Sequence, residues 1–480
     1  MPGTHASVLH EDRFFDSDPS VRRVARVLYE ETRGLPIVSP HGHVDAGILA
    51  DDSPFPEPTS LLIRPDHYIL RMLYSRGVSM EQLGISKRGT EDPPGDPRGI
   101  WKTFAANYHL FRGTPTAAWL DYELAAVFGV RSRLDASSAA SIYGEIAERL
   151  ASPEFRPRAL FERFNIEILA TTNPASDSLE AHQRLRDSGW PGRVIPTFRP
   201  DAAIDLASAG WKAEIDALGD VTSSPILDYA SLMRALTAQR AAFCSMGATA
   251  TDHGVEVPVT GQLPYAEAER LYQRALAGQE VAPADARSFQ AHMLMQMARL
   301  SAEDGLVMQL HAGALRDHND SFTRSYGPHL GADIPVATEY ARNLRPLLNE
   351  YGNDSRFRLI LFTLDESTYA RELAPLAGHY PAVLLGAPWW FHDSIEGMKR
   401  YREQVTETAG IWNTAGFADD TRAFCTIPAR HDLSRRVDAN WLAGLVARHV
   451  VDLSDAHEMA RALAYDLAKA AYRLDQGERG

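Results

Sequence analysis

The chain has 480 residues, 45% hydrophobic and 23% charged, a composition that supports a large buried core and excludes a disordered chain. Its 49 Lys and Arg against 63 Asp and Glu leave a net charge of −14, which repels a phosphate backbone and argues against nucleic acid as a partner. Only Cys244 and Cys425 are present, without CxxC spacing, and residues 1–16 are polar with no apolar span anywhere long enough for a membrane; neither a disulfide framework nor a thiolate zinc site is expected, and a cytoplasmic protein is.

Short apolar runs bounded by turn residues recur along the chain, separated by segments with apolar residues three and four apart. That alternation predicts parallel strands joined by helices. Strands are predicted at residues 35–40, 166–171, 193–198, 247–251, 306–310, 357–363, 382–386 and 411–417, with helices such as 230–246 and 337–351 ending at glycines. Eight such units favour a single (β/α)₈ barrel over an open sheet, and α/β barrels with insertions exceed 400 residues as one domain. The long interval after the first strand carries helical patterning at 68–76 and 141–150 and a Pro, Gly and charge-rich stretch at 87–99. Residues 52–160 are read as a helical insertion in the first βα connection.

Catalytic groups of such barrels sit where strands end. His41 and His43 follow the first strand; residues i and i+2 of a strand face the same way, so both imidazoles can converge on one metal, with Gly42 leaving room for close approach. Asp252 and His253 follow the fourth strand, His311 the fifth, Asp365 the sixth, and Asp420 with Arg422 the eighth. Two His of strand one, His311 and Asp420 make a nitrogen and oxygen ligand set suited to one zinc-like divalent ion. Arg199, Arg316 and Arg422 are the natural partners of a substrate carboxylate in a protein of negative net charge. Trp389 and Trp390, after strand seven, either wall the site or plug the barrel mouth.

The series His41-Gly42-His43, Asp66-His67-Tyr68 with Arg71, Thr171-Thr172, Asp177-Ser178-Leu179-Glu180, Phe198-Arg199-Pro200-Asp201, Asp252-His253-Gly254, Met308 through His311, Trp389-Trp390-Phe391 and Asp420-Thr421-Arg422 resembles the uronate isomerase family of the amidohydrolase superfamily. The resemblance runs in family order over nearly the whole chain, departing at Asn173, where an acid commonly follows the two threonines. It implies a metal-binding (β/α)₈ barrel that interconverts D-glucuronate with D-fructuronate and D-galacturonate with D-tagaturonate. It further implies His41, His43 and Asp420 around the ion, and His67, Tyr68, Arg199, His311, Trp390 and Arg422 around the sugar. Asp420 is the expected base, removing the C2 proton to give a cis-enediol that is reprotonated at C1, with Tyr68 and Arg422 donating to its oxygens. Arg199 or Arg316 holds the C6 carboxylate, and the ion either polarises a sugar oxygen or only orients Asp420, so turnover need not depend on it. A homo-oligomer acting on a small hexuronate is expected. A metal-dependent hydrolase and a non-catalytic uronate-binding protein are the competing readings.

Overall fold

Apolar runs covered on both faces become short parallel strands. In the computed structural model, which describes residues 9–90, 95–208 and 210–475, they are β1 (Ile37–Ser39), β2 (Ile166–Pro174), β3 (Arg193–Arg199), β4 (Ala250–Val255), β5 (Val307–Ala312), β6 (Ala314–Leu315), β7 (Ile334–Pro335), β8 (Leu359–Thr363) and β9 (Val383–Leu385). Seven of them form one parallel sheet in the order β1-β2-β3-β4-β5-β8-β9, while β6 and β7 pair antiparallel in the loop after β5. Sheet order thus follows chain order, with helices outside and Val38, Ile168, Ile195, Val307, Ile360 and Phe362 packed inside.

The eighth position is filled by residues 413–421. Leu385 donates its N–H to Asn413 O at 3.0 Å, and Ala415 donates to Leu385 O at 2.7 Å. On the other flank Asp420 N donates to His41 O at 3.2 Å and His43 N to Thr421 O at 2.8 Å, closing the (β/α)₈ barrel onto β1. The predicted strand 411–417 is therefore irregular: Gly416 and Asp420 have φ of 71° and 42°, which take the backbone out of the extended region and leave one ladder bridge, at Thr414.

Two other boundaries differ from expectation. Helix Tyr229–Ser245 ends in a turn through Gly247, φ 92°, so β4 starts later than predicted and contains Asp252 and His253, as β5 contains His311. Helix 337–351 shrinks to Arg345–Tyr351, because the amides of Thr338, Tyr340 and Ala341 are bound by the carboxylates of Asp365 and Glu372 instead of helical carbonyls. Among the described residues, seven α-helices stand between β1 and β2, including His67–Ser75, Pro97–Ala106, Pro115–Tyr122 and Ala139–Leu150. Several open with proline, whose missing N–H is no loss at a helix start. They share an apolar cluster that includes Leu70, Phe104, Phe128 and Ile142 and meets the barrel at Ile37 and Ile166. Residues 91–94 of the 87–99 stretch lie outside the described residues. No helix among the described residues is long and apolar enough to cross a membrane.

Candidate active site

The two backbone bonds that close the barrel place Asp420 against the first strand's histidines. Asp420 Oδ1 lies 3.4 Å from His41 Nε2 and 3.0 Å from His43 Nε2. Despite those approaches Oδ1 makes no hydrogen bond, the misalignment expected when three lone-pair atoms aim at a shared centre instead of at each other. These three residues fit one divalent ion. Burial pushes the Asp420 carboxyl up, but the His43 and His41 imidazoles outweigh it and hold the group well below the usual carboxylate range. Asp420 is also in the left-handed region, a strained conformation that Asp tolerates better than most residues.

Beneath this triad runs a buried ionic chain. His311, 3% exposed, stacks between His41 and Phe362 and bonds through Nδ1 to Asp252 Oδ1 at 2.7 Å. Asp252 Oδ2 approaches Arg199 Nη1 at 3.1 Å, and Arg199 Nε donates to Asp201 Oδ2 at 2.7 Å. Burial raises the Asp252 carboxyl, yet Arg199 and then His311 hold it well below the ordinary value. His41, Asp252 and His311 form a second group within metal-binding reach, sharing His41 with the first.

A cavity of about 600 Å³ opens above, within the size range of small-molecule sites. His43, Asp420, Arg199, Tyr68, Trp390 and Arg422 are in its lining, with His67, Arg316 and Arg430. His67 and Tyr68 come from the first turn of helix His67–Ser75, which Asp66 caps by accepting from Tyr68 N at 2.8 Å. Burial keeps the Tyr68 phenol protonated well above its usual range. Burial, then Arg422, pushes His67 down to about 3, so its ring is neutral. Trp390, with φ 52°, meets His67 edge-on, and its buried indole N–H has no partner. Arg316 lies over the Trp390 ring at 5.1 Å, with Asp333 3.7 Å away. Arg422 is exposed and forms no ion pair among the described residues.

The profile of the glucuronate isomerase family matches residues 11–472. Uronate isomerase from Rhizorhabdus wittichii is 54% identical over 466 residues, 97% of this chain and 98% of that protein. Uronate isomerase from Nostoc punctiforme is 54% identical over 473 residues, 98% and 100% of the two chains. The chain belongs to the glucuronate isomerase family. A crystal structure of glucuronate isomerase from Caulobacter crescentus superimposes with a TM-score of 0.96 at 50% identity, covering 98% of each chain.

Within this glucuronate isomerase fold the predicted residues separate into layers. His43, Asp420, His67, Tyr68, Arg199, Arg316, Trp390 and Arg422 line the cavity, while His41 and His311 lie below it. Asp365 does not line it; it caps the turn after β8 by accepting from Ser367 N. His253 is buried and paired with Thr251 Oγ1 at 3.1 Å. Gly42 does not provide ligand clearance, since a Cβ there would meet Asp419, Thr421 and Ala170 oxygens at ordinary distances of 3.5–3.6 Å. Gly254 is the close-approach glycine: a Cβ would lie 2.5 Å from Arg199 Nη2, and its N–H donates to Asp201 Oδ2 at 2.9 Å. Sequence reasoning missed Asp201 as the second partner of Arg199, although the two stand two residues apart in Phe198-Arg199-Pro200-Asp201. It also missed Arg430, which bonds Asp393 Oδ2 at 2.5 Å and Asp419 O at 3.2 Å and stacks on Trp119 at 3.7 Å.

Proposed function

We propose that the chain interconverts D-glucuronate with D-fructuronate, and D-galacturonate with D-tagaturonate, by proton transfer between C2 and C1 of the open-chain sugar. One observation carries the reading: a single cavity presents an ionised carboxylate, Asp420, a protonated phenol, Tyr68, and arginines whose charge is not fully compensated, Arg316 and Arg422. Such a set matches a substrate bearing a fixed carboxylate at one end and developing oxyanion charge at the other.

Arg316, with Arg199 at the cavity floor, holds the C6 carboxylate and so fixes which carbon faces Asp420. Asp420 takes the C2 proton, which the neighbouring aldehyde acidifies, and returns it to C1 of the cis-enediol. A carboxylate held well below the usual range is a weak base, so the step depends on stabilising the enediolate. Tyr68 and Arg422 donate to its oxygens, where charge develops in the transition state. The Trp390 indole N–H and neutral His67 are further partners for sugar hydroxyls.

His41, His43 and Asp420 would hold one divalent ion, and the nitrogen and oxygen set suits zinc. Such an ion supplies Lewis-acid polarisation of a sugar oxygen. The barrel and the 52–160 insertion act as one unit, since His67 and Tyr68 come from the insertion. A hydrolase reading is not favoured, because the relatives matched over the whole chain are isomerases.

Reaction of each uronate in D₂O, stopped at partial conversion, is the test. The expected result is keto product with deuterium on one face of C1. No keto product would refute the isomerase reading. Keto product without solvent deuterium, at every pH tried, would refute proton transfer through Asp420.

A further inference from the structure

A second cavity, of about 460 Å³, lies away from the reaction site. It is bounded by the end of the N-terminal helix Pro19–Thr32, the start of β1, the insertion and helix Ile427–Ala447. Its polar lining includes Arg33, Arg163, Arg435, His431, Tyr122 and Asp432. Asp432 is the only carboxylate among these, and it is already shared by Arg13, Arg436 and the Tyr29 hydroxyl.

Arg435 and Arg163 are left short of negative charge. Arg435 is 6% exposed; it donates to the carbonyls of Arg33 at 3.1 Å and Pro36 at 2.9 Å, and its Nε has no partner. Arg163 at the rim bonds the Val127 carbonyl at 3.3 Å and lies over the Phe155 ring at 4.4 Å, with no carboxylate in reach among the described residues. Arg33, exposed at the mouth, pairs with the exposed Glu30 at 3.0 Å. Among the described residues the Tyr122 hydroxyl has no hydrogen-bond partner. A buried guanidinium satisfied only by carbonyl dipoles retains its full charge, and such a charge favours an anion beside it. In a protein of net charge −14 this is a local reversal of the field, built from four separate segments of the chain.

We infer that this cavity binds a small oxyanion, a phosphate or carboxylate group, with Arg435 at its base, Arg163 and Arg33 at its mouth, and the Tyr122 hydroxyl as a further donor. Its volume admits an anionic metabolite and not only a bare ion. The site is distinct from the reaction cavity, though His431 connects the two: its Nε2 lies 3.1 Å from Asp419 Oδ2, one residue before Asp420.

The test is titration calorimetry of the metal-loaded protein with inorganic phosphate and, separately, succinate, at fixed ionic strength. Saturable binding of either anion is expected, and which one binds names the class. Arg163→Met should weaken it about tenfold or more, the loss of one charge-assisted contact, while leaving isomerase activity unchanged because Arg163 does not line the reaction cavity. Arg435→Lys, which keeps the cation but removes the fork, should weaken it as well. Arg422→Met should leave it intact. Absence of saturable binding by both anions overturns the inference. So does binding that survives Arg163→Met and Arg435→Lys but is lost in Arg422→Met, because that anion would sit in the reaction cavity.

Discussion

Replacing Arg316 by Met removes its charge and keeps an apolar stem to lie on Trp390. Arg316 has one nearby carboxylate, Asp333, at 3.7 Å, too long for a hydrogen bond. Arg199 has two, at 2.7 and 3.1 Å. Most of the Arg316 charge is therefore free for a ligand, and most of the Arg199 charge is not. A hydrogen bond to a charged group contributes about 1.5–3 kcal/mol. The Arg316 side chain is 37% exposed, so solvent screening favours the lower end, which at about 1.4 kcal/mol per decade is a rise in KM of roughly tenfold. Steady-state kinetics with D-glucuronate and D-galacturonate should show that rise, with kcat falling less and the melting temperature unmoved. Arg199→Met should behave differently. It strands Asp252, 1% exposed, and breaking a buried pair costs about 3–5 kcal/mol, so the melting temperature drops whatever happens to KM. A KM unchanged in Arg316→Met and raised in a still-stable Arg199→Met would refute this reasoning and give the carboxylate to Arg199.

Asp420→Asn keeps the side-chain size and removes basicity; kcat for keto-product formation should fall about a hundredfold or more with the circular dichroism spectrum retained, and a variant keeping a tenth of kcat would end Asp420's role as base. Glu123 tests the electrostatics on the stability side: it is 2% exposed, and burial pushes its carboxyl up to about 8. Its folded form stays neutral while the unfolded chain ionises above about 4.5, so its stabilising contribution is complete below that pH and is lost as pH rises toward 8. Glu123→Gln retains an acceptor for Thr426 Oγ1, 2.8 Å away. The variant should gain stability relative to the parent as pH rises from 5 to 8, by up to a few kcal/mol; melting temperatures that run parallel over that range would show that Glu123 is ionised in the fold.

What the sequence made legible followed from periodicity. Ile37–Ser39, Val307–Ala312 and Leu359–Thr363 are apolar runs with turns or glycines nearby, and the residues just beyond β1 gave His41 and His43 directly. β4 and the eighth segment were harder for a physical reason. Thr251, Asp252 and His253 are buried polar residues, and the Asp252 partners, His311 and Arg199, come from other elements. Read locally, such residues resemble a loop, so β4 was placed too early. The eighth segment is held by four backbone bonds and bent by Gly416 and Asp420, and no two-residue alternation survives there. Helix Ile427–Ala447 hid Arg430 for the same reason. Its charges look like a solvated face, yet Arg430, His431, Arg435 and Arg436 are all buried.

Counting arginines does not rank the candidates for a substrate carboxylate; the partners each arginine has do. Arg199, Arg240, Arg402 and Arg430 each reach an Asp through short contacts and so carry little free charge. Arg422 has no such partner, and Arg316 has one only at a distance; both face the cavity that Asp420 enters. The protein's 63 acidic residues outnumber its 49 basic ones, so a cation left uncompensated in a cavity is an exception in the charge pattern. The same criterion separates Arg435 and Arg163 from the arginines around them, which is why the second cavity is expected to take an anion. It also makes the two cavities separable by experiment. If partner geometry sets ligand charge, then Arg422→Met and Arg163→Met should act each on its own cavity, and the double variant should show the substrate-binding loss of Arg422→Met alone and the anion-binding loss of Arg163→Met alone, as independent distant sites do.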